Sequence, residues 1–341
     1  MKRAVVIGAS GQIGRPAVRA LARDGWEVTA ASRGGGRDES WGEEVRAVRL
    51  DRSDDAALAA VVGDGCDLVV DMVAYDAGHA RQLTALSGRI GSAVVVSSVS
   101  VYEDGKGRGF DTQHEPDGFP AYPVPVAEAQ PTVAPGEATY STRKAALERE
   151  LIAAGGTLPT TVLRAGAVHG PHSPLPRELY FVKRHLDGRG GRVLAYRGES
   201  RFHPASALNI AELIRLAAAR PGCRVLNACD PQAPTVAGIG AAIDTVMGME
   251  TETTLLDGPP AGSVGLTPWS VPLPSVFDMS AAGRELGYRP VVSYADSLPR
   301  TVEWLTDRLH GRDWRECFPL LARAYPDLFD YAAEDAWRTG A

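Results

Sequence analysis

Short continuous apolar runs alternate with segments whose apolar residues recur every three or four positions through the first half of the chain. Apolar runs bounded by turn residues predict buried strands, and the longer spacing predicts amphipathic helices. Strands are predicted at Lys2–Ile7, Glu27–Ser32, Val45–Leu50, Asp67–Val73, Ala93–Ser97 and Thr160–Leu163. Helices are predicted at Arg15–Asp24, at Asp55–Val62 behind an Asp54 cap, at His79–Leu86 and at Tyr140–Ala153. Strands that alternate with helices imply a parallel sheet covered on both faces.

The rhythm breaks twice. Residues 103–139 are rich in proline and glycine and predict a long irregular loop. Beyond Gly170, Pro171, Pro174 and Pro176 open a less regular stretch, followed by predicted elements at Asn209–Ala219 (helix), Arg224–Asn227 (strand) and Ala237–Met247 (helix). Residues 258–274 predict a surface wrap, Ser280–Leu286 and Tyr294–Leu309 two more helices, and Asp313–Trp337 a helical tail with several aromatics.

Composition narrows the class. A chain of 341 residues can bury a large core, and a formal charge of −6 gives no electrostatic footprint for nucleic acid. Cys66, Cys223, Cys229 and Cys317 lack metal-ligand spacing, and His169, His172 and His203 add none, so no metal site is expected. No apolar run is long enough to span a membrane and no signal segment precedes the first strand, so a cytoplasmic protein is expected.

The candidate chemistry starts between the first strand and helix, at Gly8-Ala-Ser-Gly11-Gln-Ile-Gly14. Gly8 permits a sharp turn, Gly11 lets a pyrophosphate approach the backbone, and Gly14 lets the helix pack closely. The helix N-terminus then offers amides and a positive dipole end to the phosphates. Ser10, Gln12 and Ile13 share this turn and join the three glycines as candidate cofactor-binding residues. Farther on, Tyr140-Ser-Thr-Arg-Lys144 places a phenol and an ammonium one helical turn apart. A cation there favours the phenolate, so that the pair can exchange a proton with a carbinol or carbonyl oxygen. Ser97, Ser98 and Ser100 close the fifth strand, where ligands sit in open α/β sheets.

These motifs resemble the extended short-chain dehydrogenases/reductases, the NAD-dependent epimerase/dehydratase-like group. The G-x-x-G-x-x-G spacing, Ser98 four residues before Tyr102, and the Tyr140–Lys144 pair come in the family's order. Leu163–Pro171 and Asp278–Pro290 resemble two further family segments, and the likeness runs from about residue 3 to 306. It implies a doubly wound Rossmann sheet with a smaller, discontinuous C-terminal substrate lobe. Residues 1–170, with a return segment at about 205–235, would bind the dinucleotide. Residues 171–204 and 236–310 would form the lobe, and 311–341 the tail.

The resemblance further implies Ser98, Tyr140 and Lys144 as catalytic residues, Lys144 also binding ribose. Asp51 would accept from the adenine amine, and Val73 and Ala74 would lie along the cofactor. Tyr75, Ser98, Tyr102 and Arg201 would touch substrate. The segment Asp71-Met-Val-Ala-Tyr75 departs from the His-x-Ala-Ala type of the sugar-nucleotide epimerases, which puts a UDP- or dTDP-sugar substrate in question. The implied activity is hydride transfer at a carbinol or carbonyl carbon of a small polar substrate. The alternative is an epimerase or dehydratase that retains its cofactor. The complete Ser-Tyr-Lys set argues against a non-catalytic sensor. At the end of the second strand stand Ser32 and Arg33, with Arg37 beyond, instead of an acidic residue. A guanidinium there suits a 2′-phosphate, so NADP is expected over NAD. A homodimer is expected from the family alone.

Overall fold

The computed structural model describes residues 1–340. The chain runs β1 (Arg3–Ile7), α1 (Gly14–Arg23), β2 (Glu27–Ser32), β3 (Val45–Arg49), α2 (Asp55–Val62), β4 (Leu68–Asp71), α3 (Ala77–Ala85), β5 (Ala93–Ser98), α4 (Tyr140–Ala153) and β6 (Thr160–Ala165). It continues through β7 (Ala167–His169), α5 (Leu179–Leu186), β8 (Gly191–Leu194), β9 (Pro204–Ser206), α6 (Ala207–Ala219), β10 (Arg224–Ala228), α7 (Val236–Met247) and β11 (Glu252–Leu255). Five helices close it: α8 (Ser280–Leu286), α9 (Tyr294–Leu309), α10 (Trp314–Cys317), α11 (Pro319–Ala324) and α12 (Tyr331–Thr339).

Two compact units result. The first comprises residues 1–166, 207–229 and 277–291. Its seven strands pair in parallel in the order β10-β6-β5-β4-β1-β2-β3. Ile7 pairs with Ala31 on one side and Asp71 on the other, and Ser98 pairs with Ala165. The direction of winding reverses between β1 and β4, the place where open parallel sheets carry ligands beyond their strand ends. Val5, Ile7, Val69, Val95 and Val162 point to one face and pack with Leu58, Leu83, Leu147 and Leu151 of α2, α3 and α4. This is the strand alternation that buries one set of side chains per face. Asp54 caps α2 by accepting from the Ala57 amide at 3.0 Å, as its sequence position predicts.

The second unit comprises residues 167–206, 230–276 and 292–340. Its sheets are two-stranded, β7 with β9 and β8 with β11. A core of Tyr180, Phe181, Leu194, Ile243, Trp269, Leu298, Leu305 and Trp314 joins α5, α7, α9 and the tail helices. Helix α5 and strands β7, β8, β9 and β11 lie where the sequence pattern predicts no element. The helical tail consists of three short helices. Among the described residues no helix is long and apolar enough to cross a membrane, and no cluster of metal-ligating side chains occurs.

Candidate active site

The glycine turn follows β1 at the winding reversal. Gly8 has φ +86°, a left-handed conformation that glycine adopts without steric cost. A Cβ on Gly14 would lie 2.2 Å from the Gly8 carbonyl oxygen, so only glycine lets α1 start against the turn. A Cβ on Gly11 would stand 3.2 Å from the same oxygen. Ser10 and Gly11 are exposed, Gln12 and Ile13 half-buried. No side chain caps α1, whose N-cap is Ile13. The turn is thus a cradle that side chains would fill, beside a helix N-terminus, and it fits a dinucleotide pyrophosphate.

Across the reversal lies the segment after β4. A Cβ on Gly8 would come within 2.9 Å of a Val73 methyl group, so this segment touches the turn. Val73 is 46% exposed and Ala74 is buried. The Tyr75 ring meets that of Tyr140 edge-on at 5.4 Å. Helix α4 begins at Tyr140 because Thr139 and Thr142 cap it reciprocally, Thr139 Oγ1 accepting from the Thr142 amide at 3.2 Å. One turn on, Lys144 is only 4% exposed, and its Nζ donates to the carbonyls of Ala74 (2.7 Å) and Val96 (2.9 Å). Ser98, at the end of β5, accepts from the Ser100 amide at 3.1 Å, and its hydroxyl is near enough to the Tyr140 phenol to lower that group's pKa. Ser98, Tyr140, Lys144, Val73, Ala74, Tyr75 and the glycine turn therefore stand together at the C-terminal edge of the sheet.

The electrostatics differ from the sequence expectation. Although the Tyr140 residue as a whole is 42% exposed, desolvation around its hydroxyl pushes the phenol above its usual value, the Ser98 hydroxyl pulls it back only in part, and Tyr75 adds to the rise. Burial lowers Lys144 to about 8, against the opposing pull of Asp71 and Glu148. The ammonium sits 5.8 Å from the Tyr140 ring centre and donates to two backbone carbonyls.

Other expected residues are placed as follows. Arg33 is exposed beyond β2, while Ser32 is buried and its Oγ accepts from the Gly35 amide at 3.2 Å. Arg37, farther along, binds the carbonyls of Trp41, Gly42 and Val45. Asp51 is exposed beyond β3 and accepts from the Ser53 amide and hydroxyl, which holds its carboxyl below the usual range. Tyr102 corrects the reading as a substrate contact. The short turn Val99–Val101 swings it inward, where it is fully buried and its hydroxyl donates to Asn227 at 2.6 Å. Arg201 belongs to the second unit, its Nε donating to the Ala233 carbonyl at 2.8 Å.

Two buried ion pairs beside Lys144 escaped the sequence reading. Arg164 binds Glu148 at 2.7 Å, and Glu148 also accepts from Ser97 at 2.5 Å. Arg52 binds Asp71 at 2.7 Å. A charge inside a buried strand demands a partner, which was the available signal for Arg164 and Asp71.

Comparison with known proteins gives the family. The chain belongs to the NAD dependent epimerase/dehydratase family, whose sequence model matches residues 4–221. It is 35% identical over 170 residues to the 2'-dehydrokanamycin reductase of Streptomyces kanamyceticus, a match spanning 49% of this chain and 43% of that reductase. In fold it resembles the UDP-N-acetylglucosamine 4-epimerase of Methanobrevibacter ruminantium, solved with UDP-N-acetylmuramic acid. That likeness has TM-score 0.69 and 21% identity, over 90% of this chain and 99% of the other. It also resembles the dTDP-glucose 4,6-dehydratase of Bacillus anthracis, solved with NAD, with TM-score 0.69 and 16% identity, over 93% and 100% of the two chains.

Proposed function

We propose that the chain is an NAD(P)-dependent oxidoreductase of the extended short-chain dehydrogenase type. It acts at a carbinol or carbonyl carbon of a small polar substrate. The observation that carries this reading is the meeting of Ser98, Tyr140 and Lys144 beside the glycine turn, at the edge where the winding reverses. The turn and the helix N-terminus would hold the pyrophosphate, and Val73 and Ala74 would line the cofactor. When bound, the nicotinamide supplies or accepts the hydride. At the substrate oxygen, Tyr140 gives or takes the proton and the Ser98 hydroxyl donates a hydrogen bond as charge develops. A protonated Tyr140, as its raised pKa favours, suits the acid role needed for carbonyl reduction. Lys144 has three N–H donors and spends two on backbone carbonyls, which leaves one for a ribose hydroxyl.

Reductase action is favoured over the epimerase or dehydratase alternative by the 2'-dehydrokanamycin reductase among the relatives. The alternative draws on the epimerase and dehydratase structures of like fold. The mass and redox state of the nucleotide released from purified protein separate the two. A reductase yields an empty site, or one that exchanges freely with added NADPH. Tightly held oxidised cofactor would overturn the reductase reading.

NADP(H) is proposed over NAD(H), because Arg33 is the exposed guanidinium at the end of β2 while Asp38 is paired with Arg15. Loop 103–139 is proposed to shape the substrate pocket, with Arg201 as a substrate contact. One end of the loop is pinned where the Val133 amide meets the Val101 carbonyl at 2.8 Å, and the other leads into Tyr140. The remaining expectations, a homodimer working in the cytoplasm, belong to the same proposal.

A further inference from the structure

We infer that the buried Arg52–Asp71 ion pair positions Lys144 by fixing the turn at residues 71–76, so that Arg52 and Asp71 are positioning residues of the site proposed above. Strand β4 is otherwise apolar, reading Leu68-Val-Val-Asp71, and Asp71 is fully buried at its end. A buried ion pair pays a desolvation penalty that apolar side chains of similar size avoid, so stability alone is a poor reason for this one.

Its geometry supplies another reason. Asp71 is held at both oxygens: Oδ2 accepts from Arg52 Nε at 2.7 Å, and Oδ1 accepts from the Val73 amide at 3.0 Å. The other Arg52 donors reach the His79 carbonyl at 2.9 Å and the Gln82 side-chain oxygen, tying the turn to α3. His79 closes the turn from below, its Nδ1 accepting from the Tyr75 amide at 3.1 Å. The turn so fixed presents three groups to the site. Val73 lies over Gly8, the Ala74 carbonyl receives the Lys144 ammonium, and Tyr75 packs on Tyr140. The charged and titratable groups around Lys144 are Asp71 and Glu148, each paired with an arginine, and Tyr140 on its own helix. Both carboxylates favour the ammonium form against burial.

The chain has four lysines, Lys2, Lys106, Lys144 and Lys183, which makes differential acylation selective. Brief pulses of acetic anhydride across a pH series on the full chain, read by peptide mass spectrometry, titrate each amine without any need for a substrate. In Asp71→Asn the Lys144 midpoint falls, and a drop of one unit from about 8 raises its acylation at pH 7 about fivefold relative to Lys2 and Lys106. Arg52→Lys keeps a cation but cannot reach Asp71, His79 and Gln82 together, and Lys144 again acylates faster. Unchanged Lys144 acylation in a folded Asp71→Asn variant would overturn the inference. Should that variant fail to fold, unchanged acylation in Arg52→Lys would do so. Added NADPH tests the underlying reading separately. Protection of wild-type Lys144 supports a cofactor there, and no protection counts against that reading while leaving the Asp71 result legible.

Discussion

In the first unit two buried ion pairs flank Lys144, Asp71 with Arg52 and Glu148 with Arg164, while a third buried acid, Asp104, pairs with Arg108 in the long loop. In the second, buried charges tie distant stretches of chain together. Asp244 on α7 takes both terminal nitrogens of Arg192 on β8 at 2.9 Å and His185 on α5 at 2.8 Å, and Arg184 binds Glu334 of the tail at 2.6 Å. In the first unit Tyr140 is exposed and Ser98 half-buried; in the second the buried acids are all engaged by bases or hydroxyls. One pattern holds reactive groups at a sheet edge; the other holds together a unit that lacks a large sheet. Substitutions should therefore damage the two units in different ways.

The largest effect is expected in the second unit. Asp244→Ala strands Arg192 and His185 and should cost about 3–5 kcal/mol in denaturant unfolding, the usual loss on breaking a buried pair. NADPH affinity below the unfolding transition should stay as in the wild type. Next comes Tyr140→Phe, which keeps the ring and removes the hydroxyl. Turnover on any carbonyl substrate should fall about 10²-fold or more with little change in melting temperature. Ser98→Ala should act in the same direction with a smaller loss. Arg33→Asp should weaken NADPH binding by roughly 1.5–3 kcal/mol, the scale of hydrogen bonds to charged groups. NADH should be less affected, and calorimetry with both nucleotides reads the difference.

The contrast also explains what the sequence made legible. Strands β1 to β6 and helices α1 to α4 were readable because each buries a continuous or periodic apolar pattern. Strands β7 and β9 span three residues each, Ala167–His169 and Pro204–Ser206, too short for any period to emerge. Helix α5 is hidden because Tyr180, Phe181 and Val182 are all buried, which erases the polar face that marks a surface helix. In the site, Tyr140 and Lys144 were legible because their spacing on one helix fixes their geometry. Arg52 and Asp71 were not, since their meeting depends on how the segments after β3 and β4 fold back on each other. Tyr102 misled for a related reason: the turn Val99–Val101 interrupts the strand alternation just before it.

The smallest expected effect is a pH dependence of the second unit. His169 is fully buried, which by itself lowers its pKa, but its 2.6 Å hydrogen bond to Asp230 and the charges of Asp230 and Glu178 outweigh this and hold it above the usual value. A folded-state pKa above the unfolded one adds stability that is complete below the unfolded value and is lost as pH rises through the folded one. Thermal melts should therefore weaken as pH rises above the ordinary histidine range. His169→Gln should flatten that slope, and an unchanged slope would assign it to another group.

The central claim is that the glycine turn and Lys144 form one dinucleotide site that serves Tyr140. Titration of NADPH fluorescence with wild type, Lys144→Met and Tyr140→Phe tests it most directly. The account predicts saturable binding in the wild type and in Tyr140→Phe. In Lys144→Met binding should be about tenfold weaker or more, as a lost charged hydrogen bond of about 1.5–3 kcal/mol requires. No binding of NADPH or NADH to the wild type, or equal binding by Lys144→Met, would contradict it.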